Sequence, residues 1–193
     1  MLTTLRLNEP FSIITLPLAG RERSLPWEKR FAWPRQGDVQ LPFDARTRET
    51  RDAWAARLDH AVAHADRAVL LVAEGTACLA SIWWARLSPV HYVSKVAGAM
   101  FFQPPPIDTL DRMSGQLFAS PDAALPFPSL VVDEAPNGLA LARTCGARLL
   151  DGATAPAGPA GMWRQAQRLI ERLSAGVVEQ DMRVLRSLGI TDC

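Results

Sequence analysis

Glu74-Gly75-Thr76-Ala77 stands at a turn with the surroundings of a catalytic nucleophile. Ahead of it, Ala68-Val69-Leu70-Leu71-Val72-Ala73 has the composition of a buried strand, and a helix is expected from near Cys78. A strand that passes straight into a helix through a G-x-S-x-G turn lifts a serine hydroxyl above the sheet, where it can attack an ester or amide carbonyl. Here Gly75 occupies the serine's place, so the turn offers no hydroxyl at that position.

Two neighbours carry groups that could attack instead. The Thr76 hydroxyl would need an adjacent base; its simpler role is to cap backbone N–H groups where the helix starts. The Cys78 thiol would sit near a helix N-terminus, which lowers a thiol pKa; its simpler role is that of a small buried residue packed on the sheet. Ser81, one turn further on, faces away from the cleft. A general base must lie within hydrogen-bond reach of the nucleophile, and the histidines are His60, His64 and His91. In the chain order nucleophile, acid, histidine, none comes late enough. His60 and His64 are spaced i, i+4, yet Ala61-Val62-Ala63 lies between them and no third ligand is in sight, so an exposed surface pair is expected rather than a metal site. His91 follows Pro89 and is expected in a loop. Asp133 and Glu134 offer an acid, or a strand end and helix cap. Thr76 and either Leu18 or Ala19 would offer backbone N–H groups to an oxyanion, while Glu74 would set a negative charge beside them.

The elements that must hold these residues alternate in the manner of βαβ units around a parallel sheet. Strands are expected at Phe11–Leu16, Asp38–Leu41, Ala68–Ala73, Lys95–Phe102, Ser129–Asp133 and Ala147–Leu150, several of them stopped by proline. Helices are expected at Arg21–Trp33, Asp44–Ala65, Cys78–Leu87, Gly138–Thr144, Met162–Ser174 and Val177–Leu188. The second of these is the clearest, because Trp54, Leu58 and Val62 recur at four-residue steps. Trp83 and Trp84 could stack a ligand; packing on the sheet is the plainer reading. Residues 103–128, rich in proline, aspartate and serine, are expected as a lid or long loop. The carboxyl ends of the strands, near Pro17, Gly75 and Gln103, would form the cleft. Residues 176–193 are expected as a helical extension that either docks a second copy or folds back on its own domain.

Composition narrows the function classes. Twenty-one basic and 20 acidic side chains, interspersed along 193 residues for a formal net charge of +1, leave no footprint for nucleic acid or an anionic membrane. Three cysteines, Cys78, Cys145 and Cys193, are too few and too scattered for a disulfide framework or a clustered metal site, and they suit a reducing cytoplasm. Met1 to Pro10 lacks the basic and apolar regions of a secretory signal, and no apolar run is long enough to span a membrane. A soluble cytoplasmic protein with no cofactor and no metal is expected.

Further motifs combine with these elements. Ile13-Ile14-Thr15-Leu16-Pro17, Trp27-Glu28-Lys29-Arg30-Phe31, Trp54 to Asp59, Leu70 to Ala80, Val96 to Pro105 and Leu125 to Val132 stand in one order from about residue 11 to 174. In this the chain resembles the small α/β-hydrolases related to retinoblastoma-binding protein nine and bacterial YdeN. The resemblance implies a single α/β domain over residues 1–193: an open, mostly parallel sheet of about six strands with helices on both faces, a reduced α/β-hydrolase fold. It also implies His-Ser-Leu-Gly where this chain has Glu74-Gly75-Thr76-Ala77, an aspartate near Asp133, and a Gly-His pair where this chain has Gly152 to Gly158. The expected role is therefore a hydrolase-like protein without serine nucleophile or triad histidine, binding a small molecule or a protein at a degenerate cleft formed by Leu18, Glu74, Gly75, Thr76, Ala77 and Gln103. The alternative is an ester or amide hydrolase that attacks through Thr76 or Cys78.

Overall fold

The computed structural model describes residues 11–20, 25–35, 37–106, 109, 116–133, 138–151 and 158–187. Six strands form one sheet, β1 (Phe11–Leu16), β2 (Val39–Gln40), β3 (Ala68–Glu74), β4 (Val96–Phe102), β5 (Ser129–Asp133) and β6 (Arg148–Asp151), in the order β2-β1-β3-β4-β5-β6. Every pairing is parallel. Strands enclosed on both faces lose the alternation of a half-solvated sheet, which is why β3 is buried at every position after Ala68.

Among the described residues, helices with both ends described are α1 (Pro26–Phe31), α2 (Arg48–Ala63), α3 (Thr76–Leu87), α4 (Val90–Val93), α5 (Gly138–Cys145) and α6 (Gly158–Ser187). One face of the sheet carries Trp54, Leu58 and Val62 of α2, most of α3, and Leu141, Ala142 and Cys145 of α5. The other carries Trp27 of α1 and Ala166 and Ile170 of α6. Burying a leucine, valine or isoleucine side chain contributes about 1.5–3 kcal/mol, so the two apolar layers hold the sheet between them. Because β2 and β3 flank β1 on opposite sides, the chain reverses direction across the sheet between β1 and β3, and the carboxyl ends of these two strands are the topological switch point.

Helix boundaries follow local chemistry. α2 starts later than the hydrophobic pattern implies because Thr47 caps it: its hydroxyl accepts the Thr50 N–H at 3.3 Å, and Thr47 N–H donates to Thr50 Oγ1 at 3.1 Å. The two C-terminal helices expected at Met162–Ser174 and Val177–Leu188 are instead one helix of 30 residues. Gly176 lies inside it with open space around its Cα; a lone glycine costs only about 1 kcal/mol, too little to end a helix without proline. The 176–193 extension is thus a continuation of α6 as far as Ser187, and residues 188–193 lie outside those described.

The segment expected as a lid is described over 103–106, 109 and 116–128, and its second part is fastened down. Phe118 and Phe127 are buried in the α2–α3 layer. Arg51 of α2 donates to the Leu117 carbonyl and lies 4.0 Å over the Trp83 ring. This strap covers the outer side of α3 and explains why nine consecutive α3 residues, Ala77 to Ala85, are buried. Trp83 and Trp84 accordingly pack in the core, with Trp84 Nε1 donating to Asp59 at 2.7 Å.

Candidate functional site

The register between β1 and β3 builds the site. Leu16 stands opposite Ala73, so the chain two residues on brings Leu18 opposite Gly75. Gly75 has φ +57° and ψ −127°, a region of backbone space that strains any residue with a Cβ. Its N–H donates to the Phe102 carbonyl at 3.0 Å, and its carbonyl accepts the Cys78 N–H at 3.1 Å. The sharp strand-to-helix turn of a nucleophile elbow is therefore intact in its backbone. What stands over it is Leu18: a Cβ built on Gly75 would lie 2.8 Å from Leu18 Cδ1 and 3.3 Å from Cγ. A leucine side chain fills the space that a nucleophile's side chain would occupy. Sequence reasoning named Leu18 for its backbone N–H and missed this role of its side chain.

The other elbow residues are distributed as follows. Gly75 itself is the N-cap of α3, and it has no side chain with which to cap; Thr76 is the first helical residue, half-buried, and its expected capping role is not what the structure forms. Its N–H, like that of Ala77, is among the helix's first donors without an intrahelical acceptor. Ala77 is fully buried and turns its methyl into the core, not toward a cleft. Ser81 is buried and bonds back to the Ala77 carbonyl at 2.7 Å. Of the two further donors considered, Ala19 is engaged, its N–H donating to the Phe43 carbonyl at 3.1 Å. The alternation of the chain then turns the Leu18 N–H to the β3 side. Gln103, exposed and at φ +46°, ends β4 beside this turn.

Two buried carboxylates flank the crest of the sheet, Glu74 at 1 % exposure and Asp133 at 4 %. They face opposite ways. Alternation along β3 puts Glu74 with Leu70 and Val72 on the α1–α6 side, while Asp133 follows Val131 to the α5 side, where a Cβ on Gly138 would meet its own Cβ at 2.8 Å. Asp133 thus closes β5 on that side of the sheet; Glu134 and the loop from Gly152 to Ala157 lie outside the described residues.

The histidines are at the far end. His60 and His64 sit at the last turn of α2, just before β3 begins, and His91 precedes β4. A seven-residue strand spans roughly 20 Å at about 3.3 Å per residue, so these imidazoles and Gly75 lie at opposite edges of the sheet. All three are exposed; the His60 and His64 rings stack at 4.0 Å, and His64 Nδ1 lies 2.8 Å from the His60 carbonyl oxygen. Among the described residues no group of three His, Cys, Asp or Glu is placed to hold a metal, and no helix is long and apolar enough to cross a membrane.

Cys78 is fully buried with Sγ 3.6 Å from the Phe102 carbonyl. Burial pushes its thiol far above the ordinary 9.0; the Phe102 contact opposes this, and Cys145 and Asp133 reinforce it. The folded thiol therefore keeps its proton where the unfolded one has lost it. Stability from this group is intact below about pH 9 and falls by about 1.4 kcal/mol per pH unit above it. We expect iodoacetamide at pH 8 to leave Cys78 unmodified in native protein and to alkylate it after denaturation, read by peptide mapping, and Cys78→Ala to flatten the alkaline loss of stability in denaturant titrations. Cys145 is likewise buried, with its thiol pushed up by burial.

Comparison with known proteins agrees with this geometry. A family model described as serine hydrolase matches residues 25–142. No curated protein matches the chain. Among solved structures, that of a YdeN-like hydrolase from Pectobacterium atrosepticum is similar over 85% of this chain and 92% of that one, with a TM-score of 0.56 and 16% identity.

Proposed function

The chain belongs to the serine hydrolase family, and from that premise we propose that it is a member without nucleophile or triad histidine that acts as a binding or regulatory protein. The observation that carries this reading is Gly75 in elbow conformation with Leu18 packed against it. Nucleophilic catalysis needs an attacking oxygen and a base within hydrogen-bond reach of it. Gly75 carries no attacking oxygen, and His60, His64 and His91 lie at the other end of the sheet; loss of even one triad member removes several powers of ten in turnover. What the crest retains are backbone donors, Leu18 and Thr76, beside a glycine and a leucine. That combination suits recognition of a carbonyl or carboxylate on a small molecule or a protein segment, without covalent attack.

The test is reaction with a fluorophosphonate probe together with hydrolysis of p-nitrophenyl esters. We expect no labelling and turnover at the buffer rate. Stoichiometric labelling mapped to residues 74–81, with ester turnover, would overturn the proposal and favour attack by Thr76; the burial of Cys78 argues against attack by its thiol.

A further inference from the structure

On the sheet face opposite α2 and α3, between the edge strand β6 and the middle of α6, lies an open groove of about 260 Å³. Its apolar part is Leu130, Leu150 and Leu169; its polar part is Gln165 with Arg148, Arg168 and Arg172. The placement follows from two periodicities. Leu130 of β5 and Arg148 of β6 are register partners, so their side chains emerge on the same face. Gln165, Arg168, Leu169 and Arg172 fall at i, i+3, i+4 and i+7 on α6, which makes one helical stripe facing that strand.

Three guanidinium groups thus converge on one concavity in a chain whose net charge is only +1. Arg148, Arg168 and Arg172 are exposed, and among the described residues none of them has a carboxylate at ion-pair distance; Arg172 Nε donates instead to the Arg168 carbonyl at 3.3 Å. Elsewhere on the same helix Arg183 does pair with Glu179. Like charges one helical turn apart repel, and an oxyanion bridging them would relieve that repulsion through paired N–H···O bonds. Leucines at the floor leave no polar partner for the rest of such a ligand.

We propose that this groove is a binding site for a small amphiphilic anion, a carboxylate or phosphate head on a short hydrocarbon chain, with the head held by Arg148, Arg168 and Arg172 and the chain laid along the half-buried Leu169, over the buried Leu130 and Leu150. The site is separate from the elbow and does not depend on what the elbow does. Isothermal titration of the full chain with octanoate, octyl phosphate, octanol and inorganic phosphate tests it. Both octyl anions, or one of them, should bind at least tenfold more tightly than octanol and than inorganic phosphate; which one binds identifies the head group. The Arg168→Glu/Arg172→Glu variant, altered only at exposed positions, should lose at least tenfold in affinity while its unfolding midpoint stays near that of the parent. Equal binding of octanol, equal binding of inorganic phosphate, affinity unchanged in the variant, or no binding of either amphiphile at millimolar concentration would each overturn the proposal.

Discussion

Restoring the missing hydroxyl by Gly75→Ser is expected to lower stability by about 2–4 kcal/mol and to create no hydrolase. Two costs add. At φ +57° and ψ −127° a residue with a Cβ is held in a sparsely populated region, at about 1–3 kcal/mol. The new Cβ would also stand 2.8 Å from Leu18 Cδ1, so the leucine must swing away and give up packing, at about 1 kcal/mol. For a chain of this size the loss corresponds to a fall of roughly 5–15 °C in melting temperature. The contact can be read separately from the strain. In a Leu18→Ala background the serine should cost less than in the parent, with a coupling of about 0.5–1 kcal/mol in the double-mutant cycle. Additive costs would mean that Leu18 does not occupy the serine's space. Fluorophosphonate labelling of Gly75→Ser should stay absent, because His60, His64 and His91 remain at the opposite edge of the sheet. Labelling of the introduced serine would require a base that the described residues do not place there.

Much of the scaffold was legible because short-range signals determine it. Strands β1 and β5 have the boundaries expected from their apolar runs, closed by Pro17 in one case and preceded by Pro128 in the other. The elbow was legible as a glycine in a strand-to-helix turn. Its filling was not, because Leu18 reaches Gly75 only through the β1–β3 register, which joins segments more than 50 residues apart. The same holds for the strap: Leu117 and Phe118 mark it as apolar anchors but do not say where it docks, since the arginines that hold it lie on α2 and α3. The division of α6 into two helices failed for the opposite reason. The expected break falls at Ala175-Gly176, and one glycine does not outweigh the cooperativity of a long helix packed on the sheet.

Removal of Arg86 should destabilise the protein about as strongly as the change at Gly75, although no catalytic reading of the sequence points to it. Its guanidinium, 7 % exposed, donates to the Ala123 carbonyl from Nε at 2.9 Å and from Nη2 at 2.6 Å, to the Thr144 carbonyl at 2.6 Å, and to Ser120 Oγ at 3.3 Å. One side chain of α3 thus ties the strap and the end of α5 to the helix that carries the elbow. Arg86→Ala leaves those carbonyls without their donor, which should cost about 2–4 kcal/mol. Arg86→Lys should recover less than half of that, because an ammonium on a flexible stem cannot serve two carbonyls in one plane. The ion pair with Asp122, 3.5 Å long and with that carboxylate 87 % exposed, adds little, so Asp122→Asn should leave the unfolding midpoint unchanged. Equal losses for the two substitutions would mean that charge pairing, not the clamping of carbonyls, holds the strap. Limited proteolysis gives the second readout: in Arg86→Ala, cleavage within 116–127 should precede cleavage elsewhere, because the strap opens locally before the sheet unfolds. The turn at Gly75 depends on that clamp indirectly. Its strained backbone is held by α3, which packs on the sheet and whose outer side the strap covers.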